Sequence, residues 1–128
     1  MKLVNHKFEG STIHYYFEND VKLVVRKWGS GIKYWSQNGK YHRLDGPAVE
    51  RSNGDKEWYQ NGKLHRLDGP ACEWVNGSKF WYQNDKLHRL DGPAVERSNG
   101  DKEWYIEGKQ YSEQEFNQRV KKNYEKQL

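Results

Sequence analysis

The sequence predicts an all-β fold, an elongated single-layer antiparallel meander of hairpin repeats, and three observations carry that prediction. The segment His-Arg-Leu-Asp-Gly-Pro-Ala occurs three times at a fixed period of 23 residues, from His42, His65 and His88. Residues 42–59 recur unchanged as residues 88–105. The composition is aromatic, with 15% Phe, Trp and Tyr beside only 34% hydrophobic residues, which suits a thin sheet core better than a central globular one. A fixed period of this length is the mark of an array in which each unit packs on its neighbours.

At the 23-residue offset, Trp35, Trp58, Trp81 and Trp104 fall in one column and Gly31, Gly54, Gly77 and Gly100 in a second. Lys40, Lys63, Lys86 and Lys109 form a third, each after an Asn-Gly, Asn-Asp or Glu-Gly pair that marks a turn. The array therefore begins before the first His-Arg segment. Two turns per repeat imply two strands per repeat, one through Ala48-Val49-Glu50-Arg51 and one through Lys56-Glu57-Trp58-Tyr59.

Charge sets the register between them. With Ser52-Asn53-Gly54 as a three-residue loop and Gly54 at positive φ, Arg51 faces Asp55 and Glu50 faces Lys56. A two-residue loop would set Arg51 against Lys56 and Glu50 against Glu57. Unlike pairs across a sheet gain roughly 0.2–1 kcal/mol each and like pairs lose it, so the longer loop is expected. The same register puts Ala48 opposite Trp58, Ala71 opposite Trp81 and Ala94 opposite Trp104, small against large. Between hairpins, Leu-Asp-Gly-Pro must bend: proline cannot donate to a ladder, and an Asp side chain can bond its own backbone two residues on.

Residues 1–28 are read as a degenerate N-terminal cap, with strands over 12–17 and 21–25 around the turn Glu18-Asn19-Asp20; residues 29–111 are the array. Residues 112–128 form a C-terminal capping helix. Ser112 and Glu115 have capping-box spacing, and Phe116, Val120, Tyr124 and Leu128 follow at steps of four.

The chain has 22 basic and 18 acidic residues, a formal net charge of +4, without a long run of either sign. That permits an anionic partner without requiring one. With one cysteine, Cys72, an internal disulfide is impossible. No stretch approaches the roughly 18 apolar residues of a membrane span, and the residues after Met1 lack an apolar signal core. A protein of the cytoplasm is the expectation.

The frame Trp-Tyr-Gln-Asn-Gly-Lys-Leu-His from Trp58, with Gly69 and Asn76-Gly77, resembles the MORN repeat over roughly residues 31–111. The variant with Arg43, Arg66 and Arg89 after the histidines, and with Asp-Gly-Pro-Ala, is similar to small proteins of tailed bacteriophages and large DNA viruses. That resemblance implies a single-layer sheet, binding to proteins or membranes, no enzymatic reaction, and the host cytoplasm as location if the chain is phage-encoded. The departures from the common motif argue against lipid binding.

Two groups of candidate residues follow. His42, His65 and His88 with Arg43, Arg66, Arg89 and the aspartates form a ladder with two readings. Either Arg66 bonds Asp45 or Asp68 and ties neighbouring turns together, or the ladder grips phosphate or acidic side chains. Histidines one repeat apart, about 9.6 Å, cannot share a metal ion, so no metal or other cofactor is expected. Each His, Arg and Asp comes in near-equivalent copies, which suits no single catalytic centre. The middle repeat departs most: Trp74 stands where Arg51 and Arg97 stand, Val75 replaces Ser52 and Ser98, and Phe80 replaces Glu57 and Glu103. Such an apolar patch among charged repeats reads either as a protein-binding hot spot or as a surface covered by the helix or the N-terminal hairpin. The function expected is a non-enzymatic module that binds a host or viral protein. A nucleic-acid-binding sheet face is the alternative, and self-association through the open sheet ends is a further possibility.

Overall fold

In the computed structural model, which describes residues 2–26 and 31–128, the repeats lie side by side as an open antiparallel meander that ends in one helix and does not close into a barrel. The boundary expected between cap and array, at residues 28 and 29, lies outside the described residues.

The cap has three strands: β1 (Leu3–Glu9), β2 (Thr12–Phe17) and β3 (Lys22–Arg26). The two later strands match the sequence reading to within a residue. The first was not expected; β1 pairs β2 from His6↔Tyr15 to Glu9↔Thr12 and is exposed along its length, so no burial pattern marked it. β3 pairs with β4 (Lys33–Gln37), setting Leu23 opposite Trp35. The Phe17 ring stacks on Trp35 at 5.2 Å, and Val21, Trp35 and Ala48 form a buried cluster beneath them. The cap thus covers the first rung, as the end of a solenoid must.

The rungs follow as short hairpins. β6 (Val49–Glu50) pairs β7 (Lys56–Glu57), β10 (Cys72–Glu73) pairs β11 (Lys79–Phe80), and β14 (Val95–Glu96) pairs β15 (Lys102–Ile106). Glu50 faces Lys56 as the charges require, the Arg51 N–H donates to the Asp55 carbonyl at 2.9 Å, and Gly54 has φ +100. The bulged three-residue loop is therefore present, and it recurs at Trp74–Ser78 and Arg97–Asp101.

In the first two of these hairpins the second strand is not continuous. It stops at Trp58, whose N–H leaves its own hairpin and donates to the Ala71 carbonyl of the next repeat at 2.7 Å, and resumes in β8 (Tyr59–Gln60) paired with β9 (Lys63–Leu64). The pattern repeats at Trp81 with β12 (Tyr82–Gln83) and β13 (Lys86–Leu87). At the start and end of the array, β5 (Lys40–Tyr41) pairs β4, and β16 (Lys109–Tyr111) pairs β15. Each alanine is clamped between rungs: Ala48 accepts from the Trp35 N–H at 2.7 Å and donates to the Glu57 carbonyl at 2.9 Å. Ala48, Ala71 and Ala94 have no exposed surface, and any larger side chain would push two rungs apart.

The outer hairpins turn through left-handed pairs, Asn38-Gly39, Asn61-Gly62, Asn84-Asp85 and Glu107-Gly108, whose φ values lie between +49 and +83. Two successive positive φ angles make the type I′ turn that matches strand twist. α1 (Glu113–Lys126) starts from Ser112, whose Oγ accepts the Glu115 N–H at 3.1 Å, and packs on β15 and β16 with Phe116 buried.

Candidate functional site

Neighbouring residues in a strand point to opposite faces, so the array presents two different surfaces. One carries the tryptophan column, the other Val49, Glu57, Cys72, Phe80 and Val95, which the register places across from one another.

On the tryptophan face the arginine of each His-Arg segment is turned inward. The Arg43 guanidinium carbon lies 4.2 Å from the Trp35 ring centroid; Arg66 over Trp58 and Arg89 over Trp81 lie at 3.9 Å. Each Nε donates to the aspartate of its own turn, Asp45, Asp68 or Asp91, at 2.8–3.0 Å. Each Nη1 donates to the carbonyl of Pro47, Pro70 or Pro93 at 3.0–3.1 Å. Arg66 and Arg89 add Glu73 and Glu96. The other side of the guanidinium rests on glycine: a Cβ on Gly46, Gly69 or Gly92 would sit 2.8–2.9 Å from the arginine Cζ. A cation between an indole and a bare Cα, with its fork on a carboxylate and a carbonyl, explains each residue of Arg-x-Asp-Gly-Pro. The arginine staples its own turn. It bonds Asp68 and not Asp45 in the case of Arg66, so the tie between neighbouring turns comes from elsewhere.

Beside the backbone bonds between repeats, the histidine supplies such a tie. The Nδ1 atoms of His42, His65 and His88 accept the backbone N–H of Asn61, Asn84 and Glu107 in the next repeat, at 2.9–3.1 Å. The imidazole Nδ1 is thus an acceptor and Nε2 carries the proton. Among the described residues no three His, Cys, Asp or Glu side chains stand close enough to hold a metal ion.

On the opposite face, the rungs at either side of the middle repeat carry an ion pair across the hairpin. Arg51 Nη2 lies 2.8 Å from Glu57 Oε1, and Arg97 Nη2 lies 2.8 Å from Glu103 Oε2. The hydrogen bond from Arg97, and to a lesser degree that from Tyr105, holds the Glu103 carboxyl below the usual range against partial desolvation. At the equivalent positions the middle repeat has Trp74 and Phe80, rings 4.7 Å apart and inclined at 54°. Phe80 is buried on Cys72 and Val95, with Leu64, Tyr82, Leu87 and Tyr105 around them. Trp74 is 42% exposed and Val75 61%. The Val75 N–H donates to Asp55 Oδ1 of the preceding hairpin at 2.9 Å, and its Cγ1 lies where a Cβ on Gly54 would come within 2.7 Å. Helix α1 packs on β15 and β16 and leaves Trp74 and Val75 open to solvent.

Cys72 fills the column of Val49 and Val95 beneath the patch. Burial first, and the nearby Glu57 second, push its thiol up to about 12, so it stays protonated at neutral pH. Burial likewise raises Tyr59 to about 12. These are packed groups and not activated ones.

The fold and this surface define an all-β repeat array with one aromatic patch set among ion pairs. No family model, no curated protein and no solved structure matches the chain. None of the described helices is long and apolar enough to cross a membrane.

Proposed function

We propose that this chain is a non-enzymatic interaction module that binds another protein through Trp74, Val75 and Phe80. The observation that carries the proposal is the exchange of an Arg–Glu pair for a Trp–Phe pair at one rung, with the indole left half in water. An ion pair at that position serves the fold well enough to be used on both sides. The aromatic pair adds an apolar surface seated on a buried cluster and flanked by charge, the arrangement of an interface hot spot. The MORN-like motif and its likeness to small viral proteins favour a host protein as the partner and the host cytoplasm as the site of action.

Nucleic-acid binding finds less support. The three arginines expected to meet phosphate are engaged by indole, carboxylate and carbonyl groups, which leaves that role to lysines and to arginines outside the ladder.

The test uses the fold's own solution. Trp74→Arg with Phe80→Glu recreates the neighbouring ion pair, so the variant is expected to unfold at a similar temperature. Affinity purification from cells expressing each chain should then retain a partner with the native chain that the variant loses. Capture of the same proteins by both would refute the proposal, as would an oligonucleotide bound at low salt and released at moderate salt by both.

A further inference from the structure

The geometry points to a second docking surface on the tryptophan face: the row of Leu-Asp-Gly-Pro turns is built to receive an amphipathic helix of a partner protein, laid across Leu44, Leu67 and Leu90. Leu44 and Leu67 are 73% and 74% exposed, on turns that the arginine staple holds in place. A large apolar side chain held in water on a stapled turn adds nothing to the sheet core, and here it stands on two successive turns, with Leu90, 48% exposed, on the third. Between Leu44 and Leu67 lies an open groove of ≈ 560 Å³ over Trp58 and Gln60. Between Leu67 and Leu90 lies its counterpart of ≈ 520 Å³ over Trp81 and Gln83.

The occupant is identified by what the chain does at the end of the same row. Beyond Leu90 the next groove is lined by the chain's own helix, with Phe116, Val120 and Tyr124 at steps of four. Leu90 and Asp91 belong both to that groove and to the open one before it, so the open surface continues an interface already made with a helix. At the next position of the arginine column stands Ser112, and Trp104 lines the groove together with α1. In the inner grooves Arg66 and Arg89 cover Trp58 and Trp81, so a partner's side chain seats between leucines rather than on the indole.

Spacing and charge narrow the partner further. Grooves one repeat apart are about 9.6 Å apart, and residues seven apart on a helix are about 10.5 Å apart, so apolar side chains at i and i+7 would enter successive grooves. The Asp45, Asp68 and Asp91 side chains, 59%, 87% and 86% exposed, stand beside the leucines. Each gives one oxygen to its arginine and turns the rest of the carboxylate to water, so the partner helix carries Lys or Arg beside its apolar stripe; α1 brings both Lys121 and Glu113 to the groove that Asp91 and Lys102 line.

The probes are fluorescein-labelled designed helical peptides with Phe at two positions seven apart, flanked by Lys in one and by Glu in the other, titrated with the full chain. The Lys peptide is expected to bind saturably, at least tenfold more tightly than the Glu peptide, and at least tenfold more weakly to the Leu44→Asn/Leu67→Asn chain. Those substitutions lie in solvent, and circular dichroism checks that the fold is kept. The Trp74→Arg/Phe80→Glu chain, altered on the other face, should bind the Lys peptide as the native chain does, which separates this surface from the patch proposed above. Absence of saturable binding, equal binding to the leucine variant, or loss of binding in the Trp74→Arg/Phe80→Glu chain overturns the proposal. So does a dimer in light scattering that the leucine substitutions abolish, since the occupant would then be a second copy.

Discussion

At the scale of single residues, the arginine staple is the most demanding contact in the molecule. Arg66 needs a planar fork to bond Asp68 and Pro70 together, a flat cation to lie 3.9 Å over Trp58, and a bare Cα at Gly69 behind it. Lysine keeps the charge and loses the fork and the flat cation. Arg66→Lys is expected to cost about 2 kcal/mol, the sum of a charge-assisted hydrogen bond and part of the stacking. Gly69→Ala should cost about 1–3 kcal/mol, because its Cβ would meet the guanidinium carbon at 2.9 Å. The two act on one contact, so the double variant should lose less than their sum, by 0.5 kcal/mol or more as a rough scale for coupled sites. Urea denaturation of the four chains measures this, and strict additivity would show that arginine and glycine do not meet. The sequence showed that Arg, Asp and Gly recur together. It could not show that the aspartate partner lies two residues away in the same turn, since Asp45 and Asp68 are both within an arginine's reach of Arg66 at one-repeat spacing.

At the scale of elements, the hairpin tips were legible because charge pairs discriminate between two registers, and α1 was legible because Ser112 and Glu115 mark its start. The break at Trp58 was not: Lys56-Glu57-Trp58-Tyr59 reads as one strand, and it divides where the Trp58 N–H turns to the next repeat's Ala71 carbonyl. β1 escaped notice because both its faces meet solvent and its apolar residues Leu3, Val4 and Phe8 follow no two-residue period. The histidine ties were hidden for another reason, since a ring nitrogen that accepts from a backbone N–H leaves no trace in residue spacing. Those ties should nonetheless be graded by burial. His42 is buried and its bond from the Asn61 N–H is partly shielded, whereas the His88 tie to Glu107 is exposed. His42→Ala leaves a partly shielded N–H without its protein partner and is expected to cost about 2 kcal/mol. His88→Ala, where water can take over, should cost less than half as much. His42→Asn places an amide oxygen the same number of bonds from the backbone as Nδ1 and should recover part of the loss. Thermal unfolding of the three variants decides it, and equal losses at both positions would mean that the rings act by bulk and not as acceptors.

At the scale of the whole molecule, the array is modular because the backbone bonds between rungs, from Trp35, Trp58 and Trp81 to Ala48, Ala71 and Ala94, are repeated at the same offset. The identity of residues 42–59 and 88–105 allows a deletion that leaves no foreign junction. Removing residues 42–87 joins Tyr41 to His88, and each group then meets a partner of the kind it already has. Arg89 would stack on Trp35 as Arg43 does, Val95 would face Tyr34 as Val49 does, and Glu107 would keep its bond to His88. The shortened chain is expected to unfold in one cooperative step at a lower temperature, because stability in a solenoid accumulates from repeat and interface terms and two interfaces' worth have gone. Deleting residues 42–86 instead moves the strands by one position and turns the buried column to solvent, so that chain should not fold. Calorimetry on both separates the cases: a cooperative transition in neither would mean that the rungs are not interchangeable, and one in both would mean that register does not matter. The first deletion also removes Trp74 and Phe80 while keeping both caps. Its failure to retain a partner that the full chain retains would trace binding to the one rung where aromatic rings take the place of an ion pair.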